Sequence, residues 1–112
     1  MKLFIQSAAE EDILLQVEWY SERGLSDIAL RFQDATRAAI DALAARPAAG
    51  APRYLKNPQL AGLRIWPIKG FDALRVYYLS TPELVTIVRI LHGKRDIGVM
   101  LEDQDLTDPS LS

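Results

Sequence analysis

Leu63-Arg64-Ile65-Trp66-Pro67-Ile68, Ala73-Leu74-Arg75-Val76-Tyr77-Tyr78-Leu79-Ser80 and Leu84-Val85-Thr86-Ile87-Val88-Arg89-Ile90-Leu91-His92 follow one another almost without a break. Each run is rich in β-branched and aromatic residues, and Lys69-Gly70-Phe71-Asp72 and Ser80-Thr81-Pro82-Glu83 separate them with turn formers. The pattern predicts three antiparallel strands joined by two hairpin loops. Pro67 offers no amide to a ladder, so it suits an edge strand or a bulge.

Upstream of these strands the period changes. Lys2–Gln6 reads as a short strand, and Ser7-Ala8-Ala9-Glu10 has the spacing of a capping box. Ile13, Leu14, Val17 and Tyr20 then share one helical face, with Glu11, Glu18 and Glu22 among the polar positions, and Gly24 supplies a stop. Ser26-Asp27 opens a second helix whose inner stripe is Ala29, Phe32, Thr36, Ala39, Ile40 and Leu43, ending at Arg46-Pro47. So short a connection predicts an antiparallel helical hairpin. Residues 47–62 are rich in Pro, Gly and Ala and read as a loop. The order is therefore β-α-α-β-β-β with a short C-terminal segment. This is an α+β domain in which the helical hairpin packs on one face of an antiparallel sheet. Residues 1–102 are expected to form that single domain, and 103–112 an acidic, flexible tail.

The simplest hairpin registers set Trp66 opposite Arg75, Arg64 opposite Tyr77, Tyr77 opposite Thr86 and Arg75 opposite Val88. Leu63, Ile65, Leu74, Val76, Tyr78, Val85, Ile87 and Leu91 would then line the core. Arg64, Trp66, Arg75, Tyr77, Thr86 and His92, with Val88 and Ile90, would form an uncovered cationic and aromatic face. Arg89 falls on the core side and calls for a carboxylate of the first helix.

Composition narrows the chemistry. The 112 residues contain no Cys and one His, which excludes disulfides, thiolate sites and a His-rich metal site. The N-terminal stretch meets Glu10 and Glu11 too early for a signal peptide, and the apolar runs are too short for a membrane span. A cytoplasmic protein is expected. The net charge of −2 conceals a segment, residues 49–100, that carries 8 Lys/Arg against 3 Asp/Glu. Gly70 and Gly93 stand alone, so no phosphate-binding glycine loop is present, and no carboxylate pair points to acid–base work.

Several pieces resemble the RelE/ParE superfamily of bacterial toxins, and more closely its ParE branch. They are Trp19-Tyr20, Leu43 through Arg46-Pro47 with Gly50, Gly62-Leu63-Arg64, Arg75-Val76-Tyr77-Tyr78, and Val88-Arg89-Ile90-Leu91-His92-Gly93-Lys94-Arg95-Asp96. The resemblance implies a β-α-α-β-β-β core, a cognate ParD-like antitoxin in a hetero-oligomer, and growth arrest when the antitoxin is lost. ParE-type toxins inhibit DNA gyrase, a plasmid-stabilising device, whereas RelE-type toxins cut messenger RNA on the ribosome.

Chemistry separates the branches. Cleavage through a 2′-hydroxyl needs activation of that hydroxyl, a proton for the leaving oxygen and cations for the phosphorane. RelE-like enzymes use a basic-x-basic pair, two arginines and a late tyrosine. Here the pair reads Arg64-Ile65-Trp66, Arg75 and Arg95 fill the arginine positions, and Leu101 stands in the tyrosine's place. The expectation is a binding inhibitor rather than an enzyme, with no catalytic residue, metal or cofactor and no sequence-specific nucleic-acid binding. Arg64, Trp66, Arg75, Tyr77, His92, Lys94 and Arg95 are the expected target contacts. Trp19, Tyr54, Leu55 and Trp66 are the expected antitoxin contacts, and Arg89, Gly93 and Asp96 are expected to be structural. A ribosome-dependent ribonuclease, or a non-toxic relic that only binds a partner, are the alternatives.

Overall fold

The computed structural model describes residues 2–93. The chain runs β1 (Lys2–Ile5), α1 (Ser7–Glu22), α2 (Ser26–Ala45), a 3₁₀ turn (Pro47–Ala49), β2 (Ala51–Pro52), a second 3₁₀ turn (Pro58–Leu60), β3 (Arg64–Pro67), β4 (Leu74–Ser80) and β5 (Leu84–His92). One five-stranded sheet has the order β1-β5-β4-β3-β2. β3 through β5 are antiparallel, as read from the three runs, and β2, within the stretch expected to be loop, adds antiparallel to β3. β1 joins the outer edge of β5 in parallel, with Lys2 opposite Leu84 and Ile5 opposite Ile87, so the sheet is mixed. A parallel pair needs a long crossover, and here the rest of the chain supplies it.

The helices lie on one face. The buried residues of α2 are Ala29, Phe32, Thr36, Ala39, Ile40 and Leu43, the stripe read from its 3.6-residue period. On α1, Ala9 is buried and Ile13, Val17 and Tyr20 pack on the core, but Leu14 points outward and is 65% exposed. The expected side-chain caps do not form. Gln6 and Leu25 hold the N-cap positions, and their backbone carbonyls accept the first helical amides, including Glu10 N–H at 3.0 Å and Ala29 N–H at 3.0 Å. The α1–α2 turn explains the second case. Gly24 takes φ of 71°, Leu25 N–H reaches the Tyr20 carbonyl at 2.9 Å, and Gly24 N–H reaches that of Ser21 at 3.1 Å. This is a Schellman closure that leads directly into α2 without a free hydroxyl.

The strand registers differ from the simplest ones, and the difference redistributes the faces. Arg64 opposes Tyr78, Ile65 opposes Tyr77 and Trp66 opposes Val76, a shift of one residue. Between β4 and β5, Leu79 opposes Thr86 and Tyr78 opposes Ile87. A bulge follows, after which Tyr77 opposes Arg89 and Arg75 opposes Leu91. A one-residue shift exchanges the two faces of a strand, and a bulge does so from its position onward. Trp66, Ile68 and Ile90 therefore join Leu74, Val76, Tyr78, Val85 and Ile87 beneath the helices. Leu63, Ile65 and Leu91 move to the opposite face with Tyr77, Leu79 and Val88.

That opposite face is not bare. The loop between β2 and β3 lays Leu55, Leu60 and Leu63 over Tyr77, Val88 and Leu91, so a second apolar cluster backs the sheet. The expectation that Arg64, Trp66, Arg75 and His92 share one uncovered surface is thus corrected. Arg64 and Trp66 sit on the helix side, while Arg75 and Tyr77 sit on the loop side. Lys94, Arg95, Asp96, Leu101 and the 103–112 tail lie outside the described residues.

Candidate functional site

The side chains singled out from sequence fall into separate surfaces, each set by strand parity. Arg64, the half-buried first residue of β3, turns toward the end of α2. Its Nη1 donates to the Gly50 carbonyl at 2.6 Å. Beside it, the Tyr78 hydroxyl donates to the Pro47 carbonyl at 2.7 Å and accepts the Gly50 amide at 3.0 Å. The turn after α2 is thereby latched to the middle of the sheet. Burial raises the Tyr78 pKa, against the opposing pull of the Gly50 amide and of Arg64. Gly50 is required by contact, because a Cβ there would fall on the Tyr78 phenol.

Two residues along β3, Trp66 packs against the alanine flank of α2. With Ala35, Ala38, Ala39, Ala42, Pro67 and Lys69 it lines a shallow groove of about 370 Å³. Trp19 is on α1, 47% exposed, edge-on to Tyr20 and stacked by the Arg23 guanidinium at 3.9 Å. It lines another groove, of about 230 Å³, with Leu15, Asp12 and His92. His92 therefore belongs to the α1 side rather than to the surface of Arg75. Tyr54 is 87% exposed in the β2–β3 loop, while Leu55 packs on the second apolar cluster. The four expected antitoxin contacts are not brought together.

Arg89 meets a carboxylate of the first helix, as expected, but not from the core side: the bulge sets it opposite Tyr77, on the loop side, and it reaches Asp12 from there. Its Nε donates to Asp12 Oδ2 at 2.7 Å and its Nη2 to Asp12 Oδ1 at 2.8 Å, and Asp12 Oδ2 also accepts the Ile90 amide at 2.9 Å. The bulge after Ile87 presents both donors to α1 beyond the end of β1. The hydrogen bond to Asp12 raises the Arg89 pKa, opposed by desolvation.

Two features went unread in the sequence. One is a groove of about 520 Å³ between β1 and α2, lined by Leu3, Ile5, Ile13, Thr36 and Ile40 with Arg37 and Asp41 at its rim. The Thr36 hydroxyl is buried there without a hydrogen-bond partner. The other is Arg53, which shares a pocket with Arg75, Tyr77 and Gly93 on the loop side. The only signal for Arg53 is its place as the first base of the cationic middle segment. Among the described residues no group of three or more His, Cys, Asp or Glu could hold a metal ion, and no helix is long and apolar enough to cross a membrane.

A helical hairpin on a small mixed sheet, ringed by open grooves and with its arginines divided between two faces, defines an α+β domain of the RelE/ParE-like type. The family profile described as "ParE toxin of type II toxin-antitoxin system, parDE" matches residues 3–97. The chain belongs to this family, and so is the toxin component of a toxin–antitoxin system, with an antitoxin as its implied partner. A solved structure described as "Chromosomal ParDE TA system from P. aeruginosa" superposes with a TM-score of 0.67 at 18% identity, over 82% of this chain and 95% of that one. No curated protein sequence matches the chain.

Proposed function

We propose that this toxin arrests growth by binding DNA gyrase in the cytoplasm, without catalysing a reaction, and that a ParD-like antitoxin neutralises it. Family membership over residues 3–97 supports the gyrase target. The observation that carries the non-enzymatic reading is the separation of Arg64 from Arg75. A RelE-like ribonuclease would need the cations at these two positions converging on one phosphate. Here the Arg64 guanidinium is held by the Gly50 carbonyl on the helix side, and Arg75 opens on the other face. Nor does Tyr77 offer a base at neutral pH, since burial pushes its phenol above the ordinary value of 10.0.

Gyrase contact is assigned to Arg75 and Tyr77 on the loop side, together with Lys94 and Arg95, which follow Gly93 in sequence. Arg64, Trp66 and His92 leave that set because their parity turns them to the helix side. Poisoning an enzyme cycle requires only that one of its states be bound more tightly, which shifts its population.

The antitoxin is assigned to the helix side, where it would meet Trp19 and Trp66 on opposite flanks. β1 is an edge strand with one side unpaired, beside the apolar groove of Leu3, Ile5 and Ile40. An extended segment adding to that edge would place alternate side chains in the groove.

The deciding experiment is a gyrase supercoiling assay on the full chain and on an Arg75→Ala/Arg95→Ala variant. Inhibition by the first and its loss in the folded variant are expected. Intact supercoiling alongside cut transcripts would replace this reading with the ribonuclease. No growth defect on expression alone would replace it with the partner-binding relic.

A further inference from the structure

The loop-side pocket has a chemistry that the helix-side grooves lack. It encloses about 210 Å³ and is lined by Arg53, Ile65, Arg75, Tyr77 and Gly93. Tyr77 is 2% exposed over the whole residue, and what it shows lines the wall of this pocket. A phenol at a pocket wall carries a hydroxyl that can donate to an acceptor placed there. Neither Arg53 nor Arg75 has a carboxylate partner among the described residues, where the ion pair is Arg89 with Asp12.

Arg75 is pinned for presentation. Its Nη1 donates to the carbonyls of Asp72 and Leu74, which leaves Nε and Nη2 for another acceptor. The Gly93 backbone packs along its stem, where a Cβ would stand 3.5 Å from Cγ and 3.7 Å from Nε. Arg53 lines the same pocket, its backbone amide tied to the Leu63 carbonyl at 2.9 Å. Burial raises the Tyr77 phenol while both guanidiniums pull it down, so the proton stays on and the hydroxyl donates at neutral pH.

We propose that Arg53, Arg75 and the Tyr77 hydroxyl form an oxyanion site that takes the phosphate group of a nucleotide or polynucleotide. Two guanidiniums and a phenol lining one pocket offer donors to several oxygens at once. A tetrahedral phosphate satisfies that arrangement, whereas a flat carboxylate is served by one guanidinium fork. Tyr54, next to Arg53 in sequence and 87% exposed, supplies a ring on which a base can stack beside the bound phosphate. The site reads no sequence, because it touches only backbone and a π-face. It goes beyond the gyrase reading and does not depend on it.

The test is fluorescence anisotropy of a labelled twelve-nucleotide oligothymidylate with the full chain at low salt. Arg53→Ala is expected to weaken binding about tenfold and Tyr77→Phe several-fold. Arg31→Ala, an exposed base on α2, is expected to stay within about twofold. Inorganic phosphate and thymidine monophosphate are the competitors. Displacement by the mononucleotide at the oligomer's own affinity identifies a free nucleotide as the source, and displacement only at far higher concentration identifies a polymer. Absence of binding overturns the proposal. So does equal weakening by all three variants, which would mean diffuse charge, or equal displacement by hexaglutamate, which would mean a carboxylate site. Arg53 is exposed and Tyr77→Phe keeps the ring, so both variants preserve the core; thermal unfolding verifies this. Gyrase is absent from the assay, so failure here and failure to inhibit supercoiling are independent results.

Discussion

Removing the Asp12 carboxylate tests how the far end of β5 is held to α1. Three donors converge on it: Nε and Nη2 of Arg89 and the amide of Ile90, at 2.7, 2.8 and 2.9 Å. The side chains of Arg89 and Asp12 are 19% and 10% exposed, so the pair is mostly withdrawn from water. Asp12→Ala would strand a guanidinium and an edge amide together. Deleting one partner of a buried pair costs about 3–5 kcal/mol, and residual solvent access to Arg89 favours the lower end, about 3 kcal/mol. For a domain of this size that corresponds to a fall in Tm of about 12 °C. Asp12→Asn keeps one carbonyl oxygen for the Ile90 amide and should lose about half as much. The Asp12→Leu/Arg89→Met double variant removes both charges and should recover most of the loss, with a coupling energy of about 2 kcal/mol in a double-mutant cycle by urea unfolding. Single variants within about 0.5 kcal/mol of wild type, or strictly additive ones, would refute the view that this pair anchors the hairpin to the helix.

Gly50→Ala should destabilise by about 1–3 kcal/mol through the clash with Tyr78, and Gly50→Ala/Tyr78→Phe should be less than additive, as read by thermal unfolding. Thr36→Val removes a buried hydroxyl without a partner and should leave stability unchanged or raise it by about 1 kcal/mol in urea unfolding. Tyr77 and Tyr78 have folded pKa values above 10.0, so the unfolded chain releases these protons first. Stability is then full below pH 10 and falls as pH rises above it; alkaline unfolding followed at 295 nm should show the fall diminished in Tyr77→Phe and Tyr78→Phe. Leu3→Asp, in the groove beside β1, should abolish antitoxin protection in a growth assay while leaving toxicity intact.

Much of the fold was legible in local patterns. The period of α2 marked all six residues it buries, because a surface helix has one apolar side and its stripe admits a single orientation. Gly24 was readable because its positive φ closes a helix terminus. The acid partner of Arg89 followed from the cost of a lone buried charge, although the bulge moved Arg89 off the core side where the simple parity had put it. α1 was harder, since Leu14, Leu15 and Trp19 place apolar residues on its outer side and blur the stripe.

The surfaces were not legible in the same way. β4 carries apolar side chains on both faces, Val76 and Tyr78 toward the helices and Tyr77 and Leu79 toward the loop, so hydrophobicity alone could not choose between registers one residue apart. Turn geometry after Pro67 and the bulge after Ile87 made that choice, and neither has a distinctive local signature.

Composition and periodicity were thus enough for the kind of domain, its helical hairpin and its three successive strands, because each depends on interactions close along the chain; the toxin lineage was read from the resemblance of its motifs to a known family. Which side chains meet depended on long-range pairing: Arg64 with Gly50, Asp12 with Arg89, and Arg53 with Arg75 around Tyr77. A strand's two faces differ by a single step of register, and only the packed sheet, with helices on one side and the Leu60–Leu63 loop on the other, sets that step.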